Sequence, residues 1–109
     1  METRPRTVQS LQVGQAIPFD DWLGRLKDTT GKGQVEARIN KLRRGLLGEY
    51  DAVGDGVLEL ILDNTGPGYR VYCADDGSAT LLLCGGTKRT QTEDILQARK
   101  LWTDYKKGE

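Results

Sequence analysis

The sequence contains no histidine. That absence removes the side chain that most often serves as a general base near neutral pH and the commonest zinc ligand, so Ser-His triads and ordinary zinc-enzyme sites are excluded. Cysteine is scarce: Cys73 and Cys84 lie in strand-like runs without the CxxC spacing of redox or zinc motifs. Buried, reduced thiols are the reading those positions favour. Net charge is also missing, because 16 basic residues balance 16 acidic ones, which argues against the all-round positive field of a non-specific nucleic-acid binder. No run approaches the roughly 20 apolar residues that span a bilayer, and no signal-peptide core follows Met1-Glu2-Thr3-Arg4-Pro5-Arg6. The expectation is a cytoplasmic protein with no membrane partner, whose residues 1–6 form a loose extension.

What remains is enough for one domain. A chain of 109 residues, 37% hydrophobic and 29% charged, builds one core without a metal or disulfide staple. Its charge is uneven: nine basic against five acidic residues up to Gly48, one against seven from Glu49 to Leu81, and six against four thereafter. A basic face can therefore persist on a neutral molecule.

The pattern predicts the order β-α-α-β-β-β-α. Val8, Leu11 and Val13 suggest an edge strand ending at Gly14. Pro18, Asp20 and Asp21 suit the first turn of a helix whose apolar stripe is Phe19, Trp22, Leu23 and Leu26. After a break at Thr29-Thr30-Gly31, Val35, Ile39, Leu42 and Leu46 recur at helical spacing as one buried face. Strands are expected over Val57 to Leu62, Tyr69 to Ala74 and Thr80 to Cys84, joined by the turns Asn64-Thr65-Gly66-Pro67-Gly68 and Asp75-Asp76-Gly77-Ser78 as an antiparallel meander. Thr90 and Glu93 read as a capping box for a last helix through Ile95, Ala98, Leu101, Trp102 and Tyr105.

Four features could carry chemistry. Period-two alternation sets Arg70 and Tyr72 on one side of their strand, opposite Tyr69, Val71 and Cys73; such an arginine is either ion-paired or functional. Gly85-Gly86-Thr87-Lys88-Arg89-Thr90-Gln91 leads from a strand to a helix N-terminus, which serves either as a plain connector or as an anion site. Its glycine spacing is not that of a Walker A loop. Arg38, Lys41, Arg43 and Arg44 surround the second helix as a solvated face or as a track for a phosphate backbone. Glu49, Asp51, Asp55 and Asp63 lack the order of a calcium-binding EF-hand loop.

Together these residues resemble the RelE/ParE superfamily of bacterial toxins, in particular its HigB-like branch of phage-related addiction-module killer proteins. The similarity runs from about Val8 to Tyr105. It includes Phe19-x-x-Trp22-Leu23-x-x-Leu26, Ala37-Arg38-Ile39 with Leu42, and Val53-Gly54-x-Gly56-Val57-x-Glu59-Leu60. The most specific segments are Gly66-Pro67-Gly68-Tyr69-Arg70-Val71-Tyr72 and Leu82-Leu83-x-Gly85-Gly86-x-Lys88-x-x-Gln91.

The resemblance implies an α+β, RelE-like fold in which two N-terminal helices pack on one face of a mostly antiparallel sheet, with a C-terminal helix. It implies the toxin of a type II toxin-antitoxin system, a ribosome-dependent mRNA endonuclease that uses the RNA's own 2′-OH and needs no metal or small cofactor. Arg70 would clamp the scissile phosphate, Lys88 and Arg89 would form a basic pair with Lys88 as proton carrier, and Tyr72 would stack on a base or orient the strand. Thr87 and Gln91 would contact the RNA, and Arg38, Lys41, Arg43 and Arg44 would dock on ribosomal RNA. The implied partners are the ribosome, mRNA and a small antitoxin with a helix-turn-helix. The sequence departs from the branch at Ile61, where an arginine is usual, in one residue added at Asn64-Thr65, and at Ile95, the nearest match to an aromatic or histidine of the last helix. Two alternatives share the fold: a ParE-like inhibitor of DNA gyrase, and a catalytically decayed antitoxin-binding module.

Overall fold

The computed structural model describes residues 4–63 and 66–108. Along the chain run β1 (Val8–Ser10), α1 (Pro18–Arg25), α2 (Thr29–Arg43), β2 (Tyr50–Ala52), β3 (Leu58–Leu62), β4 (Tyr69–Asp75), β5 (Thr80–Thr87), a 3-10 turn (Lys88–Thr90) and α3 (Gln91–Lys107). The strands form one mixed α+β sheet in the order β1-β5-β4-β3-β2. β1 runs parallel to β5, and the other three pairings are antiparallel.

Period-two alternation gives the sheet two apolar faces, and each has its own cover. Leu60, Leu62, Tyr69, Val71, Cys73 and Leu82 pack with Phe19 of α1 and Val35, Ile39 and Leu42 of α2. Tyr72, Ala74, Leu81 and Leu83 pack on the opposite side with Ala98 and Trp102 of α3. Both thiols are free and buried, as their strand positions predict.

Local chemistry explains several departures from the predicted pattern. Asp28 caps α2 by accepting the Gly31 N–H at 3.0 Å, so Thr29-Thr30-Gly31 opens the helix instead of interrupting it. α2 ends at Arg43, and Gly45 follows in the left-handed region at φ 86°; Leu46 therefore leaves the buried stripe and is 47% exposed. The capping box is formed by Thr87 and Thr90 on the 3-10 turn, not by Thr90 and Glu93.

β5 continues three residues beyond its expected end and takes in both Gly85 and Gly86. A Cβ at Gly85 would overlap the Trp22 ring, and one at Gly86 would overlap the Asp94 carboxylate. Those glycines mark the close seating of α1 and α3 on opposite faces of one strand. β2 is fully exposed and without alternation, which left it invisible in the sequence; its pairing with Leu58–Leu60 makes it a strand.

Of the extension expected over residues 1–6, Met1 to Thr3 lie outside the described residues, as do Asn64 and Thr65 with the added residue. Arg6 is anchored, its N–H donating to the Arg43 carbonyl at 2.9 Å and its Nη1 lying 3.2 Å from Asp75 Oδ2. Among the described residues no helix is long and apolar enough to cross a membrane.

Candidate functional site

Arg70 and Tyr72 share a face of β4, as alternation requires, and the cross-strand register sets Glu59 opposite Tyr72 and Ile61 opposite Arg70. The site is a buried polar island on the face that α3 covers. Glu59 is 1% exposed and Arg70 is 4% exposed. Tyr72 Oη donates to Glu59 Oε2 at 2.9 Å, and Gln91 Nε2 donates to the two Glu59 oxygens at 3.1 and 2.9 Å. Arg70 Nε lies 3.9 Å from Glu59 Oε2, too far for a hydrogen bond, and has no hydrogen-bond partner among the described residues.

Burial, reinforced by the bond to Glu59, pushes the Tyr72 phenol well above its ordinary value. Tyr72 is fully buried, so its ring presents no free face to a base; it holds Glu59. Gln91 likewise turns its amide inward. Sequence reasoning gave Glu59 no role, although a carboxylate among Leu58, Leu60, Ile61 and Leu62 signals a buried partner.

Arg70 meets the basic turn at Gly68. The Gly68 carbonyl accepts the Lys88 N–H at 2.9 Å and Arg70 Nη1 at 3.1 Å. Gly68 has φ +71°, and a Cβ there would lie 3.2 Å from Asp63 Oδ1, 3.4 Å from Lys88 Cβ and 3.5 Å from Arg70 Nη1. Arg70 and Lys88, 18 positions apart in the chain, therefore flank one point. Lys88 and Arg89 are exposed on the 3-10 turn, and neither has an ion pair among the described residues. Thr87 serves as the cap of that turn.

Arg70 itself is not a free cation: Nη1 lies 2.8 Å from Asp63 Oδ1 and also donates to the Tyr69 carbonyl at 3.2 Å. Asp63, expected among a loose acidic group, is in fact the counter-charge of the site.

The basic set on α2 divides. Arg38 is half-buried, and each of its three guanidinium nitrogens donates to backbone: Nε to Leu47 O at 2.9 Å, Nη1 to Ile61 O at 2.9 Å, and Nη2 to Glu49 O. It ties α2 to the entry of β2 and to the end of β3, so it is spent on the fold and not offered to RNA. Arg43 Nη1 donates to Asn40 Oδ1 at 2.7 Å. Lys41, Arg43 and Arg44 remain on the surface. A cleft of about 550 Å³ lined by Arg38, Lys41, Glu49, Ile61 and Asp63 joins this helix edge to the Asp63 side of the Arg70 site.

No family model matches the chain, and no solved structure matches it. It is 43% identical over 93 residues to a Haemophilus influenzae protein described as uncharacterized, a similarity that covers 84% of this chain and 93% of that protein. Identity at that level over nearly the whole of both chains makes this chain a member of the same family as the Haemophilus influenzae protein.

Proposed function

We propose that this chain is a HigB-like member of the RelE/ParE superfamily, the toxin of a type II toxin-antitoxin system, and that it cuts mRNA on the ribosome in the cytoplasm. The observation that carries the reading is the meeting of the Arg70 guanidinium and the Lys88 main-chain N–H at the Gly68 carbonyl, with Arg89 on the same turn as Lys88. The two sequence segments most specific to the resemblance converge there.

The chemistry asks little of a protein without histidine. The RNA 2′-oxygen attacks the adjacent phosphorus as its proton passes to solvent, the new O2′–P bond replaces the P–O5′ bond, and the leaving O5′ takes up a proton, so that no proton is gained or lost overall. Orienting the strand and stabilising charge on the phosphate oxygens supply most of the acceleration. One well-placed donor is worth about 3 kcal/mol in such a transition state. Lys88 and Arg89 supply exposed charge, Lys88 carries the proton to the leaving oxygen, and Arg70 clamps the phosphate from below. Lys41, Arg43 and Arg44 meet ribosomal RNA, and a helix-turn-helix antitoxin restrains the protein.

A second reading, a non-enzymatic antitoxin-binding module, is favoured by the burial of Arg70 between Glu59 and Asp63. Inducing the chain in a sensitive host while following mRNA ends, translation and plasmid supercoiling separates the possibilities. New codon-linked mRNA ends support the nuclease, DNA breaks point to gyrase poisoning, and unimpaired growth points to the binding module.

A further inference from the structure

We propose that Asp63 is a built-in competitor for the anion site at Arg70, and that a phosphodiester binds there only when the Asp63 carboxylate swings out. The inference rests on the reading of Arg70 as a phosphate clamp and adds a means of regulating it. Asp63 Oδ1 lies 2.8 Å from Arg70 Nη1, which is ion-pair distance and the position an anionic phosphate oxygen takes against a guanidinium.

The two partners differ in what holds them. Arg70 is 4% exposed and fixed by the Gly68 and Tyr69 carbonyls, whereas the Asp63 side chain is 52% exposed. The arginine is a preset socket, and the carboxylate is its solvent-side plug. The half-exposed Asp63 carboxylate is readily hydrated when it leaves, and the buried guanidinium that it uncovers keeps Glu59 nearby and takes the incoming phosphate in its place. Gly68 carries no side chain to obstruct the point where Asp63, Lys88 and Arg70 converge.

Charge sets the direction. One guanidinium faces the carboxylates of both Glu59 and Asp63, so the resting site holds a formal excess of one negative charge. Glu59 is committed inward by Tyr72 and Gln91. Only Asp63 can give way, and an RNA phosphate displacing it leaves the formal count unchanged beside the turn that carries Lys88. The consequence is a site with weak affinity for free phosphate that is opened by a polyanion held in place by other contacts.

The test compares wild type with Asp63→Asn, and with Asp63→Ser should asparagine disturb the turn. The probe is a short fluorescent single-stranded RNA whose 2′-oxygens are all methylated, so that binding is read without cleavage. Anisotropy at low salt is expected to show binding about fivefold tighter in either variant, with thermal stability kept near wild type. The Arg70 Nε–H resonance in 15N NMR is expected to shift on titration of the variant at probe concentrations that leave the wild type unmoved. Unchanged or weaker binding by both folded variants overturns the proposal, as does tighter binding with an unmoved Arg70 resonance. Ribosome-dependent cleavage is scored separately: tighter binding without cleavage leaves the competitor standing and removes the nuclease, and cleavage by wild type with no gain on Asp63→Asn does the reverse.

Discussion

Glu59 and Arg70 stand on adjacent strands of one sheet face, both buried, with Oε2 of one 3.9 Å from Nε of the other. The pair has no direct hydrogen bond; Tyr72 and Gln91 satisfy the carboxylate, and main-chain carbonyls hold the guanidinium. Removing the arginine would leave a buried carboxylate without its counter-charge. Arg70→Ala is expected to cost about 3–5 kcal/mol in urea unfolding. Glu59→Ala alone and with Arg70→Ala completes a cycle, and additivity within about 0.5 kcal/mol would show the two residues to be independent. If the chain is the proposed toxin, a loss of toxicity in Arg70→Ala has to be read beside a folding measurement, and Arg70→Lys, which keeps the charge, is the sharper functional variant.

A second expectation concerns the strand that both helices straddle. Gly86→Ala pushes against the Asp94 carboxylate and Gly85→Ala against the Trp22 ring. Each is expected to lower stability by about 1–3 kcal/mol, the range for overpacking, read as a drop in Tm. Gly24→Ala, where nothing lies within 4 Å of the added carbon, is the control inside a helix, expected to hold or raise Tm.

The α2 cations separate by the same logic. Arg38→Ala strips partners from the carbonyls of Leu47, Glu49 and Ile61, and a cost of at least about 1–3 kcal/mol is expected. Lys41→Glu with Arg44→Glu is expected to change stability by less than about 0.5 kcal/mol, since both side chains are exposed. If the helix edge meets ribosomal RNA, that double variant loses co-sedimentation with ribosomes. Wild-type co-sedimentation would assign the edge to solvent.

The thiols make stability fall in alkali. Burial pushes Cys73, and likewise Cys84, up from 9.0 to about 12. The folded state thus keeps protons that the unfolded chain releases, so this contribution is fully present below pH 9.0 and is lost as pH rises toward about 12. Urea midpoints stepped through that window are expected to decline, and Cys73→Ala is expected to flatten the decline. An unchanged slope in that variant would show that Cys73 does not cause it. Both thiols should also resist a thiol reagent until the protein is unfolded.

Much of the framework was legible from local pattern. Alternation along Tyr69 to Cys73 sorted Arg70 and Tyr72 from the apolar face, since adjacent side chains on an extended strand must point oppositely. Helical spacing found Val35, Ile39 and Leu42, and likewise Ala98 and Trp102. Leu46 failed because helical spacing continues on paper past a left-handed glycine that turns the real chain away.

By itself the sequence determined the faces, the turns and which residues are too apolar for water, because those follow from neighbours a few positions apart. Tertiary structure alone decided that Glu59 sits beneath Arg70, that Asp63 pairs with it, that Arg38 is spent on backbone carbonyls and that Lys88 arrives at Gly68. Those partners lie as far as 23 positions apart in the chain, and a charge shows whether it is free or paired only after the sheet has closed around it.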